Sequence, residues 1–294
     1  MAAAHRREPV RPRAKRRTAP DIAVVAVCGA LVAACMVLTT EAMPSQTQAP
    51  AEQPAPVSQP EPQAQQPDVV EGEVIGSYQA ISQSTNADRA ENLRLAAEEI
   101  DGVVIQPGET FSFNDHVGDV EQDPRYRDAP VIVGGETVEG AGGGICQVST
   151  ALYIAALKAD LEIVERHPHS IASDYAPIGL DATLVYGTMD LRIKNAGDAP
   201  VRISAAAVGQ TVEVSIIGQP LETGLTIDAT SKVVDQYTDD DGKGGSHLHY
   251  VAESYRVYYR DGVVQYRDLM HTDTYQVPQP SAVVLSEGSV DPSK

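Results

Sequence analysis

The fold of this 294-residue chain is indicated most directly by one stretch, Gly140-Ala141-Gly142-Gly143-Gly144-Ile145-Cys146-Gln147-Val148-Ser149-Thr150. A run of glycines changes there into a helical pattern without a break. The apolar residues that follow recur at the spacing i, i+3, i+4 and i+7: Val148, Ala151, Leu152 and Ala155. Because Ile154 and Leu157 add apolar surface on another side, we expect this helix to be buried on most faces.

Cys146 lies at or next to the predicted start of this helix. Free N–H groups and the positive dipole end of a helix favour thiolate over thiol. The glycines let backbone or substrate pass close to the sulfur, and N–H groups near Gly143 and Gly144 are candidates for an oxyanion hole. The chain has three cysteines, and the other two, Cys28 and Cys35, lie in an apolar N-terminal segment. Cys146 is therefore a candidate nucleophile, with a small buried side chain as the alternative.

A thiolate nucleophile needs a base, and the segment Arg166-His167-Pro168-His169-Ser170 supplies two histidines. If one helix leads away from Cys146 and one strand leads back, this segment lies near Cys146 again. Pro168 favours extended backbone, so the two imidazoles should point to opposite sides and at most one should face the thiol. Taken alone, each histidine would more often be an ordinary surface or capping residue.

Further polar groups could complete a site around Cys146. An acidic side chain would orient the imidazole, and the sequence does not rank three candidates for that role: Asp174, Asp181 and Asp190. Arg166 could receive a substrate carboxylate. Other polar residues are candidate substrate contacts: Gln147, Ser149, Ser170 and Tyr186.

Away from Cys146 the sequence alternates between short strand patterns and a few helical ones. Apolar residues at helical spacing after Ser84-Thr85-Asn86 predict a helix over about 86–100. Strand patterns occupy residues 103–105, 109–113, 131–133, 161–165, 183–195, 201–206 and 211–217. A hairpin signal, Asp261-Gly262, lies in a second β-rich region. We therefore predict an α+β, β-rich fold with antiparallel sheet, a few helices and one buried helix starting at the Cys146 position.

The N-terminal segment is typical of a membrane address. Residues 1–20 carry seven basic side chains and one acidic one, and the uncharged run 22–40 is about long enough to cross a bilayer as a helix. The positive-inside rule then predicts a cytoplasmic tail (1–20), a single-pass signal anchor in the cell membrane (21–41) and a body outside it. Residues 31–35 also resemble a lipobox, so a lipoprotein attached through Cys35 is the alternative.

Composition divides the remainder and excludes some function classes. Residues 42–73 are predicted to be an extended linker, because 44–67 hold seven Pro, seven Gln and no aromatic residue. The folded body is predicted as a domain over 74–220 and a β-rich extension over 221–294. A net charge of −19 excludes nucleic-acid binding, since phosphates would be repelled.

The sequence predicts no cofactor and no metal site. The glycine run lacks the Lys-Ser/Thr pair of a phosphate-binding loop, and residues 239–242 do not have the spacing of a calcium loop. Three histidines are a weak metal candidate that no cysteine or firmly spaced carboxylate completes: His247, His249 and His271.

Several ordered blocks over roughly residues 74–218 resemble the VanW family. The blocks are Asn86-Ala87-Asp88-Arg89-Ala90-Glu91-Asn92, Pro107-Gly108-Glu109-Thr110-Phe111-Ser112-Phe113-Asn114, Tyr126-Arg127-Asp128-Ala129-Pro130-Val131-Ile132, Gly142-Gly143-Gly144-Ile145-Cys146-Gln147-Val148-Ser149-Thr150-Ala151-Leu152-Tyr153, Glu165-Arg166-His167-Pro168-His169-Ser170 and Leu180-Asp181-Ala182-Thr183. The β-rich extension resembles one that often follows this domain, but more loosely.

The resemblance implies a bacterial cell-envelope protein from a family named for an accessory role in vancomycin-resistance clusters. It also implies L,D-transpeptidation of peptidoglycan, with the nucleophile at Cys146 and, through the His-Ser pair of the family, His169 rather than His167 as the base. Expected partners are peptidoglycan stem peptides and cell-wall synthesis proteins. Many relatives carry a wall-binding region before the domain, where this chain has only the linker. The alternatives are a wall peptidase or carboxypeptidase that uses the same thiol, and a non-catalytic wall-binding module.

Overall fold

The computed structural model describes residues 71–133, 136–240 and 246–277. The helices and strands within these ranges are, in chain order, β1 (Glu73–Ile81), α1 (Ala87–Ile100), β2 (Val104–Ile105), β3 (Thr110–Ser112), α2 (Phe113–Val117), β4 (Asp128–Val133), β5 (Glu136–Ala141), α3 (Ile145–Lys158), β6 (Glu162–Glu165), β7 (Arg192–Lys194), β8 (Val201–Val208), β9 (Thr211–Gly218), β10 (Leu225–Asp240), β11 (Ser246–Arg260) and β12 (Val263–Gln276).

A four-stranded antiparallel sheet in the order β1-β9-β8-β2 supports the two longer helices, α1 and α3. Strand β9 alternates as its sequence predicts, with Val212, Val214 and Ile216 fully buried. Gly76 of β1 allows close approach of α3, because a Cβ at this position would lie 2.3 Å from the carbonyl oxygen of Ala155. The sheet thus fixes the position of α3 by packing closely against it.

Helix α1 matches the prediction over about 86–100. The side chain of Asn86 caps it by accepting a hydrogen bond from the backbone N–H of Arg89 (2.9 Å). Its apolar face is buried as the periodicity predicts: Leu93, Ala97 and Ile100. Two polar side chains, those of Arg89 and Asn92, are buried as well, and both point toward the glycine run.

Helix α3 lies inside the core. Every residue from 147 to 157 is buried, and the helix contacts β1, β6, β9 and β10. Gly144 is its N-cap and has a left-handed backbone (φ 111°). Cys146 is therefore the second residue of a helix whose position is set by packing on several sides.

The C-terminal strands form an antiparallel sheet in the order β10-β11-β12. The predicted hairpin at Asp261-Gly262 joins β11 to β12. Arg256 and Tyr258 of β11 hold this sheet to the end of α3 by donating hydrogen bonds to Asp160 (3.0 and 2.7 Å).

The predicted α+β, β-rich class with antiparallel sheet is confirmed, but several elements differ from the prediction. The strand predicted over 183–195 is reduced to β7, because Val185 and Met189 pair with each other across a turn at Gly187 (φ 77°). Strands β1 and β5 were not predicted, and neither was α2, which begins at Phe113 where a strand was expected to end.

The predictions for the cytoplasmic tail, the membrane anchor or lipobox, and nearly all of the linker lie outside the described residues. Within the ranges given above, no helix combines the length and the hydropathy needed to cross a membrane.

Candidate active site at the start of α3

Cys146 is half-buried at the N-terminal end of α3. Its neighbours come from one segment after α3: Thr183 places Oγ1 at 3.8 Å from Sγ, the backbone N–H of Leu184 donates to the sulfur, and His169 hydrogen-bonds it through the imidazole. Burial raises the pKa of the thiol, but the hydrogen bond and charge of His169 outweigh burial, so the pKa lies below its usual value. The site therefore stabilises the thiolate more than water does.

His169 is held in one orientation by Asp181. Its Nδ1 lies 2.5 Å from Oδ2 of Asp181, and its backbone N–H donates to the same oxygen at 2.7 Å. Because Nδ1 is engaged, Nε2 is the nitrogen left for the thiol. Burial lowers the pKa of His169, yet the hydrogen bonds to Asp181 and Cys146 raise it overall to about 10.

Asp181 is buried and accepts donors on both of its oxygens. Oδ1 accepts from Arg166 Nη2 (3.0 Å) and from the hydroxyl of Tyr275 (2.6 Å), while Oδ2 accepts from His169. Burial alone would raise the pKa of this carboxyl, but the hydrogen bond and charge of His169 and the charge of Arg166 hold it well below its usual range. Asp181 is thus ionised and orients a charged imidazole.

The glycine run provides N–H groups beside the sulfur. Gly143, Ile145 and Gln147 donate their backbone N–H groups to the carbonyls of nearby glycines. Within the described residues, the N–H groups of Gly144 and Cys146 have no backbone acceptor. Both belong to the first turn of α3, where N–H groups are left over by helix geometry, and they suit an oxyanion.

Two side chains of α1 hold the glycine run in place. Asn92 donates to the carbonyl of Gly143 (3.0 Å) and to the carbonyl of Arg127 (2.9 Å). Arg89 packs under Gly144, where a Cβ would lie 2.8 Å from its Cγ. A glycine is therefore required at 144 for two reasons, the left-handed backbone and the lack of space.

Arg166 does not lie where a substrate carboxylate could reach it, which corrects that prediction. Its side chain has no exposed surface. The guanidinium is already bound by Asp181, by Asp273 and by the carbonyls of Asp181 and Gly179. Its charge is therefore used inside the protein, where it balances two carboxylates.

The other predicted substrate contacts are divided between the core and the surface. Gln147 is buried and binds the carbonyls of Ala80 and Gln210, and Ser149 is buried and binds the carbonyl of Ala182. These two residues build the site without being accessible, which corrects their assignment. Ser170 follows His169 and accepts the N–H of Gln276 at its carbonyl. Tyr186 is exposed in the turn after Leu184.

The remaining acid and base candidates lie apart from the thiol. Nε2 of His167 binds Glu165 (3.0 Å), so His167 faces the other way, as the extended backbone at Pro168 predicts. Asp174 accepts from Ser82 and Gln83, and Asp190 accepts from Ser112 and Asn114. The structure therefore brings together Cys146, His169 and Asp181.

Sequence reasoning missed several residues that shape this site: Arg89, Asn92, Thr183, Leu184 and Tyr275. A buried polar position in an amphipathic helix could have indicated Asn92, since it lies on the same face as the apolar residues. Nothing local could have indicated Tyr275, which reaches Asp181 from β12.

The histidines of the C-terminal sheet are used in other ways. His249 stacks on Tyr237 and pairs with Asp239 (3.1 Å), and His247 contacts Gln276. In the described part of the chain, no three His, Cys, Asp or Glu side chains are grouped as metal ligands.

Comparison with known proteins places residues 88–217 in a match to the family model described as VanW like protein. An uncharacterized protein of Bacillus subtilis, YoaR, is 42% identical over 142 residues, which cover 48% of this chain and 47% of that protein. The vancomycin B-type resistance protein VanW of Enterococcus faecalis is 28% identical over 205 residues, which cover 67% of this chain and 73% of that protein. The chain thus matches about half of the length of the Bacillus relative. No solved structure matches it.

Proposed function

Because residues 88–217 carry a VanW domain, we propose that this chain is a peptidoglycan-modifying cysteine enzyme, an L,D-transpeptidase that forms 3→3 cross-links. One observation carries the proposal: His169 is bonded to the Cys146 thiol on one side and to the buried Asp181 on the other. A nucleophile, a base and an orienting group in that order are the machinery of acyl transfer. The peptidoglycan substrate is inferred from the family.

In the first half of the reaction, the Cys146 thiolate attacks the carbonyl carbon of the third residue of a stem tetrapeptide. The carbonyl oxygen becomes an oxyanion, which the N–H groups of Gly144 and Cys146 would stabilise. When the C–N bond to D-Ala breaks, the imidazolium of His169 gives its proton to the leaving amine. The products are free D-Ala and a thioester on Cys146.

In the second half, an amine of a neighbouring stem peptide attacks the thioester carbonyl. Neutral His169 takes a proton from that amine as the new C–N bond forms. The C–S bond then breaks, and the thiolate and imidazolium are both restored. Asp181 stabilises the charged imidazolium through each step and does not itself become protonated.

The proposal includes a location at the bacterial cell membrane, with the N-terminus in the cytoplasm and the body facing the wall. The supports are the basic tail, the uncharged run 22–40 and the Pro/Gln-rich linker. Attachment through a lipidated Cys35 would give the same orientation. An action on the cell wall would also agree with the name of the Enterococcus relative, which links that protein to vancomycin resistance.

The decisive experiment is to mix the full-length chain with purified disaccharide-tetrapeptide and to record intact mass after rapid quenching. We expect an adduct equal to the substrate minus D-Ala, and its complete loss in Cys146→Ala, because no other described residue supplies the thiolate. A folded variant without the adduct would assign the thioester to Cys146. Cross-linked dimer, rather than free tripeptide, would establish a transpeptidase instead of a carboxypeptidase.

The matched control is the variant with Cys28→Ala and Cys35→Ala, which keeps Cys146 as the sole thiol of the chain. This variant should form the adduct at the wild-type rate. Turnover that survives in Cys146→Ala would contradict the proposal. A wild-type protein that forms neither adduct nor product, with a thiol that also resists iodoacetamide at pH 7, would indicate a binding module instead.

A further inference from the structure

The C-terminal sheet reaches into the candidate active site from outside the family match. That match ends at residue 217, whereas β12 spans Val263–Gln276. Two side chains of β12, Asp273 and Tyr275, contact the buried Arg166–Asp181 pair. Asp181, the acid that orients His169, is therefore bound both by Arg166, within the family match, and by Tyr275, beyond it.

Tyr275 makes the closest of these contacts to the site. Its side chain is fully buried, its hydroxyl donates to Oδ1 of Asp181 at 2.6 Å, and Arg166 donates to that hydroxyl at 3.1 Å. The hydroxyl thus fixes the oxygen of Asp181 that does not bind His169. With Oδ1 fixed, the rotation of the carboxylate is fixed, and so is the position of Oδ2 under Nδ1 of the imidazole.

The backbone of β12 adds a second restraint next to His169. The N–H of Gln276 donates to the carbonyl of Ser170 (2.8 Å), and the N–H of Ala172 donates to the carbonyl of Gln276 (3.2 Å). Ile171 and Gln276 form a parallel bridge. One strand therefore holds both the residue that follows the base and the acid that orients it.

We propose that Tyr275 is a positioning residue for the thiol site, acting through Asp181 on His169, so that the C-terminal sheet is part of the functional unit. The proposal deepens the assignment of a cysteine enzyme and rests on it. The ionisable groups that interact with Asp181 come from three elements: Arg166, His169 and Tyr175 of the segment after β6, Tyr153 of α3, and His271 and Tyr275 of β12. Asp273 of β12 binds Arg166 on its other side.

The sheet does not need the Tyr275 hydroxyl in order to dock. Its attachment through Arg256 and Tyr258 to Asp160 is independent of the site, and β10 packs on α3 separately. Tyr275→Phe keeps the ring in place and removes only the hydroxyl. Tyr258→Phe is a matched control, because it removes a hydrogen bond of similar length (2.7 Å) from the same sheet but away from His169.

The test compares the pH dependence of iodoacetamide alkylation in three proteins that carry Cys146 as their only thiol: the parent, Tyr275→Phe and Tyr258→Phe. Without the hydroxyl, the Asp181 carboxylate is no longer held in its rotation under Nδ1 of His169. The thiolate–imidazolium pair should therefore be less favoured. We expect alkylation at pH 7 to slow roughly three- to tenfold in Tyr275→Phe, with the midpoint of the profile at higher pH. Tyr258→Phe should stay within about twofold of the parent.

A second measurement reads the same contact directly. In the parent, the proton between His169 Nδ1 and Asp181 should give a far-downfield proton NMR resonance, which should shift in Tyr275→Phe and stay in place in Tyr258→Phe. An unchanged profile and resonance, equal shifts in the two variants, or a Tyr275→Phe protein that does not fold would each overturn the proposal. Because alkylation needs no substrate, a protein without transpeptidase turnover but with the expected shift would refute the enzyme assignment alone.

Discussion

Asp181 shows why one carboxylate of three acts on the imidazole. It sits two residues before Thr183, which contacts the sulfur, and its two oxygens accept donors from His169, Arg166 and Tyr275. A carboxylate with this many donors stays ionised even when buried. The ionised form in turn stabilises the protonated imidazole and, through it, the thiolate.

Asp181→Asn should therefore disable the site by removing the charge that His169 needs. We expect the pKa of His169 to fall and that of the thiol to rise, with turnover reduced by roughly 10²- to 10⁴-fold. Stability should also drop, because the buried Arg166 loses a partner. The variant Asp190→Asn is the control, since Asp190 binds Ser112 and Asn114 instead. Equal turnover in the two variants would contradict the role of Asp181.

At this scale the sequence indicated Cys146 and two histidines, and the family resemblance favoured His169, which the structure places against Cys146. The surroundings of these two residues were not predicted. The lone Cys after a glycine run and the His-Pro-His segment limited the candidates for nucleophile and base to a few residues. Arg166 was misassigned because the sequence alone does not distinguish a buried arginine from one on the surface. The buried Arg166 is paired with Asp273, far along the chain, and no local pattern encodes that contact.

At the scale of elements, the glycine run holds the first turn of α3 in a fixed position. Gly143 is enclosed by the β4 strand, and a Cβ there would lie 2.4 Å from the carbonyl oxygen of Ala129 and 2.8 Å from that of Pro130. Because both neighbours are backbone atoms, neither can move aside cheaply. A side chain at 143 must displace the loop that carries the N–H groups next to Cys146.

Gly143→Ala should consequently impair the thiol site while the protein still folds. We expect adduct formation to fall by roughly 10²-fold, the size of effect seen when an oxyanion donor is lost. The control is Gly262→Ala, at a hairpin tip where nothing lies within 4 Å of a Cβ and φ is 79°. It should cost about 1 kcal/mol of stability without slowing the reaction. Wild-type adduct formation in Gly143→Ala would contradict the inference that the glycine run holds the first turn of α3 in a fixed position.

Elements with a clear period were predictable, and elements defined by distant partners were not. The spacing of apolar residues predicted α1, and alternation predicted β9. The stretch 183–195 has apolar residues typical of a strand, yet most of it is irregular. Thr183 and Leu184 contact the sulfur, and the chain turns at Gly187, where Val185 pairs with Met189. Contacts with residues outside the segment, rather than local preference, accompany the irregular backbone there.

On the scale of the whole molecule, α3 and the C-terminal sheet enclose a buried ionic cluster that ties together residues far apart in sequence. Its charges make the stability of the fold depend on pH. Asp181 has a folded pKa below its ordinary 3.8, so its contribution is present above that value and is lost as the pH falls further. His169 has a folded pKa raised from 6.5 to about 10, so its contribution is complete below 6.5 and is lost as the pH rises through the folded value.

Stability measurements can isolate this histidine if the thiol is first removed, because the Cys146 side chain is coupled to His169 by a hydrogen bond. In a Cys146→Ala background, the free energy of unfolding from urea titrations would be compared with and without His169→Gln. We expect the difference to be largest between about pH 4 and 6.5. It should then decline by at most about 1.4 kcal/mol per pH unit, because the folded protein keeps a proton on His169 that the unfolded chain has released. A difference that stays constant from pH 5 to 9 would mean that folding does not shift the pKa of His169 when Cys146 is absent, and the charge of Asp181 would not suffice to hold the imidazole in its protonated form.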